Sequence, residues 1–333
     1  MINWLIRWFT GSATTTATAE ALAGPASLQG PATLVPGGGA VSTVAPAELS
    51  LLFYRLLAGS PSAEVPAATE QLILGEFARL VESPRHGADL VPRVPAVIPQ
   101  LLKSLRDDSM SGAELSRQLS QDVVLVAEVI REANSPFYSP TTPVRTIEGA
   151  VMLLGQNGMR MLLARVAFRP IISMQTGHFA HQGAPTVWRQ SESCALAASL
   201  LAPGSGVSVF EAYLAGLLQH VGLIVALRLV DQIYTGATMP RSEHFCMALL
   251  ADARRLSSRI ATLWEFPPNV AEAIAGSGGA LAQASPLARV LAHADYLAML
   301  RLLVDGGQVD SELAPGISAG MERRVFEQLA KVA

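Results

Sequence analysis

Tyr213-Leu214-Ala215-Gly216-Leu217-Leu218-Gln219-His220-Val221-Gly222 decides how this chain folds. Apolar residues dominate it and run on through Leu229 to Ile233, which predicts one strongly apolar central helix. Ser208-Val209-Phe210-Glu211 opens that helix with a capping-box pattern, a serine hydroxyl facing an N3 amide and a glutamate reaching back to the cap. Gln219 and His220 are the adjacent polar residues inside the run. A lone histidine on such a helix is ordinarily a core side chain that makes one or two hydrogen bonds.

Helical periodicity continues on both sides. Towards the N-terminus, Trp188 begins a long helix through Leu201, which Pro203-Gly204-Ser205-Gly206 breaks. Ala150 to Leu154, a break at Gly155-Gln156-Asn157-Gly158, and a restart through Met161, Leu162, Leu163 and Val166 to Pro170 come before it. Val123, Val126, Ile130 and Ala133 form the inward face of a helix that ends at Asn134-Ser135-Pro136. Further upstream are a capping box at Ser111-Gly112-Ala113-Glu114 and a short helix with Val97, Ile98, Leu101, Leu102 and Leu105. Two more helices carry Leu49, Leu52, Phe53, Leu56, Leu57 and then Leu72, Leu74, Phe77, Leu80, Val81. Towards the C-terminus, one helix holds Met247, Leu249 and Leu250 and the next Leu256, Ile260, Leu263 and Trp264. A short helix over Val270 to Ile274, one starting at Pro286 and one from Met321 to the end follow. No strand alternation is visible, so the fold class is all-α.

Composition narrows the function. The 333 residues are half hydrophobic, few are charged, and the formal net charge is -3, so no basic field draws in nucleic acid. Cys194 and Cys246 are the only cysteines and lack CxxC spacing, which fits a reducing, cytoplasmic setting. No apolar run is read as a membrane span. Met1 to Phe9, with Trp4, Trp8, Leu5 and Ile6, is a short amphipathic helix. It could rest on a membrane, but docking on its own protein, or a loosely attached N-terminal tag, is the preferred reading.

Four local signals carry other chemistry and are weaker than their bland readings. Pro36-Gly37-Gly38-Gly39 lacks the Gly-Lys-Ser/Thr ending of a phosphate loop. The helix pair ending at 133 has a helix-turn-helix look, but Asp122, Glu128 and Glu132 against one Arg131 would repel phosphate. His178 and His181 have metal-ligand spacing, yet they sit in what reads as a loop without a carboxylate. Arg160 and Arg165 could hold an anion, though such arginines more often pair with acidic neighbours.

Four stretches in order resemble the HDOD family, the HD-related output domains of signalling proteins. They are Val94-Pro95-Ala96-Val97, Ala133-Asn134-Ser135-Pro136-Phe137-Tyr138, Gly149-Ala150-Val151-Met152-Leu153-Leu154-Gly155 and the opening Tyr213 to Gly222. The resemblance implies an N-terminal helical subdomain packed on an HD-like subdomain. Active HD phosphohydrolases bind metal through a first His, an adjacent His-Asp pair and a later Asp. By resemblance those positions fall here on Gln190, Gln219, His220 and Asp295. Glutamine is a weak neutral ligand, so the set reads as dismantled, with no metal and no other cofactor expected. His220 and Asp295 are then expected to form a structural polar pair. Asn134, Ser135, Phe137 and Tyr138 are expected to support a loop or to line a groove between the subdomains.

The resulting layout is a short helix over 1–9, a flexible linker over 10–45 and a helical appendage over 46–84. An HDOD domain over 85–305 divides into 85–180 and 181–305, and a C-terminal helix covers 306–333. The expected role is a non-catalytic bacterial signalling module that works through an unidentified signalling protein partner or a small ligand such as a nucleotide. The alternative is a phosphohydrolase that holds metal through Asp295, His220 and His293 at an altered site.

Overall fold

The computed structural model describes residues 44–60, 63–83, 90–92, 117, 123–135, 138, 140–173, 175–310 and 320–330. Residues 1–9, most of the 10–45 segment, Val94–Val97 with the helix after it, the Ser111–Glu114 box, Asp122, Pro136 and Phe137 lie outside them. Among the described residues every regular element is helical. The α-helices are α1 (Pro46–Ala58), α2 (Ala67–Glu82), α3 (Val123–Ala133), α4 (Ile147–Ser173), α5 (His178–Leu201) and α6 (Val209–Leu218). They continue with α7 (Val221–Ile233), α8 (Glu243–Leu263), α9 (Pro268–Gly276), α10 (Pro286–Asp305) and α11 (Met321–Leu329).

The hub of the bundle is α5, not the apolar run at 209–233. It packs against α1, α4, α6, α7, α10 and α11. Small side chains allow this: Cys194, Ala195, Ala197, Ala198 and Ser199 are all fully buried, so neighbours approach from every side. One backbone approach is especially close, at Gly216 on α6, where a Cβ would stand 2.6 Å from the Ala195 Cα.

The start of α5 corrects the loop expected around His178 and His181. Asp231 on α7 supplies the missing cap: its carboxylate accepts from the Phe179 and Ala180 amides at 2.8 and 2.9 Å. Gly177 lies against that carboxylate with φ +106°, a place and a conformation that exclude a side chain. Phe179 stacks on Tyr234, just past α7, at 6.2 Å.

The apolar run is also not one helix. It ends as α6 at Leu218 and restarts as α7 at Val221, with Gln219 and His220 as the turn. Ser257 on α8 straps the break, donating to the Gln219 carbonyl at 2.7 Å and accepting from the Gly222 amide at 2.8 Å. Val209–Ile233 is nevertheless, by length and composition, long and apolar enough to cross a membrane, contrary to the sequence reading; 94% of its most apolar window is buried inside the protein.

Other expectations hold or shift by small physical margins. Gly155 at φ 68° kinks α4 where a break is expected. Ser208 caps α6 through the Glu211 amide, but Glu211 bonds Asn269 at 2.6 Å instead of reaching back. Met247 and Leu256 share the single helix α8, where two were expected.

Helices α1 and α2, expected as an appendage, belong to the common core. Leu49, Phe53, Tyr54 and Leu57 of α1 are buried, and the Tyr54 hydroxyl donates to the Pro240 carbonyl at 2.8 Å. Burying each such side chain contributes roughly 1.5–3 kcal/mol, which fixes α1 firmly against α5, α8 and α10.

Candidate functional site

The break between α6 and α7 places Gln219 and His220 deep in the bundle beside α5 and α10. Gln190 on α5 is fully buried and Asp295 on α10 nearly so. Gln190 Nε2 donates to Asp295 Oδ1 at 2.8 Å and to the Asp295 carbonyl at 3.2 Å. His220 Nε2 lies 3.6 Å from the same Oδ1, beyond hydrogen-bonding range. The expected His220–Asp295 pair therefore exists as a near neighbour, while the direct hydrogen bond comes from Gln190. Gln219 turns elsewhere, its Nε2 donating to the Cys194 Sγ at 2.8 Å.

Two residues at the site escape the sequence reading. Cys194 lies one helical turn after Gln190, so the 3.6 period places both on one face of α5 and could have revealed it. Arg254 on α8 stands 3.4 Å from Asp295 Oδ2. Its guanidinium lies over Gly278, in space that a Cβ at 278 would take. No local signal marks Arg254, because only the fold brings the 254 and 278 regions together.

Burial pushes the His220 pKa below its ordinary value; Asp295 opposes the shift and Arg254 adds to it. Burial also raises the Cys194 thiol well above its ordinary value, so it remains a thiol. The Phe53 ring of α1 sits 6.0 Å from the His220 ring and covers this side of the site. Because His220 resists protonation in the folded state, the unfolded chain takes up the proton first as pH falls. This contribution to stability is intact above about pH 6.5 and is lost as pH falls towards the lowered folded value. His220→Gln should flatten the fall in stability that sets in below about pH 6.5, as read from chemical denaturation.

The second cluster is held by Asn134, Ser135 and Tyr138. Asn134 acts as a clamp: its Nδ2 donates to the Val144 carbonyl at 2.7 Å and its Oδ1 accepts from the Val144 amide at 2.8 Å. Asn134 Nδ2 also donates to the Ile130 carbonyl at 2.8 Å, tying the end of α3 to the segment before α4. Ser135 donates to Glu132 at 3.4 Å. Asn134→Asp would set a second acceptor against the Val144 carbonyl and should cost about 1–3 kcal/mol, seen as a lower urea midpoint.

Glu132, read from the sequence as part of an outer acidic face, points inward and is 5% exposed. It pairs with Arg165 and, at 3.5 Å, with Arg169. Arg165 also pairs with Glu192 on α5, in line with the expectation that this arginine has acidic neighbours. Tyr138 hydrogen-bonds Arg165, and burial raises its phenol well above its ordinary value. Tyr213, from the decisive stretch, is buried beside the same arginine. This network joins α3, α4, α5 and α6.

The HDOD domain model matches residues 91–278, more than half of the chain. The chain belongs to the HDOD family. An uncharacterized protein of Treponema pallidum (strain Nichols) is 22% identical over 205 residues, covering 59% of this chain and 39% of its own length. The chain thus spans well under half of that relative. An HDOD domain protein of Geobacter sulfurreducens with unknown function superposes with a TM-score of 0.54 at 23% identity, over 80% of this chain and 95% of its own. A Shewanella amazonensis SB2B protein named "Putative metal-dependent phosphohydrolase" gives 0.55 at 20% identity, over 80% and 100%. A Marinobacter aquaeolei VT8 protein named "Putative signal transduction protein" gives 0.54 at 19%, over 79% and 63%. At these identities the structures speak for the HDOD fold alone.

Proposed function

We propose that this HDOD protein is a non-catalytic regulatory module that acts through a signalling protein partner or a small ligand. One observation carries the reading. Asp295, the only carboxylate at the HD positions, is already hydrogen-bonded by Gln190 and faced by the Arg254 guanidinium. A divalent ion there would meet a fixed positive charge, one partly engaged carboxylate, a neutral imidazole and two amides. Such a set lacks the anionic and imidazole donors that a hydrolytic metal needs. The described residues hold no group of three or more His, Cys, Asp and Glu placed for metal. His293, part of the alternative metal set, instead pairs with Glu322 at 2.8 Å. The signal-transduction name of the Marinobacter protein points the same way, while the phosphohydrolase name of the Shewanella protein states the competing reading.

Metal content of the purified full chain, with turnover of phosphodiesters and nucleotide phosphoesters measured on the same sample, tests the proposal. The expected result is substoichiometric metal and no turnover. A stoichiometric transition metal lost together with activity in Asp295→Ala would make this a phosphohydrolase.

A further inference from the structure

Between α1 and the α6–α7 break lies a cavity of about 120 Å³. Phe53, Met247, Leu250 and Met299 give it apolar walls, and His220 and Arg254 give it a polar end. Its size limits what can enter. A core cavity of about 150 Å³ takes up benzene, whereas pockets for larger organic ligands run to about 300–1,000 Å³. The enclosed space is thus of the size that takes a small molecule, and Phe53, fully buried, is one wall that sets the limit.

The polar end sets the charge. The Arg254 side chain is 27% exposed, and its contact with Asp295 is a long 3.4 Å one through a single nitrogen. Among the described residues nothing else holds its planar fork of donors, and such a fork matches a carboxylate edge-on. Gly278 makes the room in which the guanidinium lies. Asp295, in contact with Arg254, already balances part of the charge and repels a dianion. What remains is a place for one negative charge next to a short apolar tail.

We infer that this cavity binds a short-chain monocarboxylate of about six non-hydrogen atoms, the size class of benzene. Arg254 holds the carboxylate, and Phe53, Met247, Leu250 and Met299 hold the hydrocarbon chain. The inference rests on the non-catalytic reading, in which the former metal position is free to serve a ligand.

Calorimetric titration of the full chain with sodium butyrate tests it, with acetate, octanoate, inorganic phosphate and AMP as comparison probes. Saturable one-to-one binding of butyrate is expected, with an affinity loss of about fourfold for each methylene removed and no binding of octanoate, phosphate or AMP. Arg254→Gln should weaken butyrate at least about tenfold, the loss of one charge-assisted hydrogen bond. Phe53→Leu should shift the preference to a longer acid. Leu250→Phe, which fills the apolar end and leaves the Arg254–Asp295 contact alone, should abolish binding and keeps the test decisive if Arg254→Gln does not fold. Absence of saturable butyrate binding, tighter binding of phosphate or AMP, or unchanged butyrate affinity in folded Arg254→Gln or Leu250→Phe would overturn the inference. The two readings fail separately: no butyrate binding in a metal-free, inactive protein removes the ligand and leaves the non-catalytic module standing.

Discussion

Replacing Arg165 with methionine is expected to destabilise the protein by about 3–5 kcal/mol, the range for breaking a buried ion pair from one side. The reason lies with the residues left behind. Glu132 and Glu192 come from different helices, and both are mostly buried at this arginine, with side-chain exposures of 7% and 17%. Burial raises the Glu192 carboxyl even with Arg165 present. Without the guanidinium, two carboxylates would face each other with Arg169 as the remaining cation at Glu132, 3.5 Å away and half exposed. The same logic predicts rescue. Adding Glu132→Gln and Glu192→Gln to Arg165→Met removes the uncompensated charge and should recover more than half of the loss. Urea denaturation of the single and combined variants checks this; equal stability of the single and triple variants would show that packing around the arginine matters more than charge.

Gly222→Ala is expected to be about as damaging, at roughly 3 kcal/mol or somewhat more, the upper part of the usual overpacking range. A Cβ at 222 would overlap the Ala253 carbonyl oxygen and stand 2.9 Å from the Ser257 amide nitrogen and from its Oγ. Two of these three atoms are backbone in the middle of α8, so no rotamer change relieves the clash. To make room, α7 must move off α8, which would also stretch the Ser257 strap to Gly222 and to the Gln219 carbonyl. The variant should therefore lower the thermal midpoint and speed amide exchange at Gly222. Gly75→Ala on α2, where a Cβ meets nothing within 4 Å, is the matched control and should be neutral or slightly stabilising. Near-wild-type stability of Gly222→Ala would mean that the α7–α8 approach is looser than described.

These two sites also show what could be read from residues alone. The helices are legible because their apolar faces repeat with the helical period, and α4 breaks at Gly155 because a glycine marks the place. Gln190, Gln219, His220 and Asp295 were found by resemblance, and the fold brings all four close together. Gln219, however, donates to Cys194 and makes no hydrogen bond to Asp295 among the described residues. The break after Leu218 is not legible, since neither Gly216 nor Gly222 falls at it and Ser257, 38 positions on from Gln219, supplies the alternative partners. Arg254 escaped for a similar reason, because its cradle is a glycine on another segment. Glu132 was placed on the wrong face because a glutamate at the edge of an apolar stripe reads as solvated until Arg165 is brought to it. At the candidate site, what escapes the sequence is a polar group whose partner lies far away along the chain.

The Asp231 cap on α5 carries this to the order of folding. A helix that begins on its own capping residue can form its first turn locally. Here the first turn of α5 has no donor-accepting side chain until α7 arrives from about 50 residues downstream. The hub of the bundle thus takes its starting point from a later helix. Its first turn should gain protection only when the whole bundle closes, while the small-residue stretch around Cys194 to Ser199 docks independently of that cap. A growing or refolding chain would then hold His178 to Gln182 open longest, making the start of the central helix the last part of it to become native.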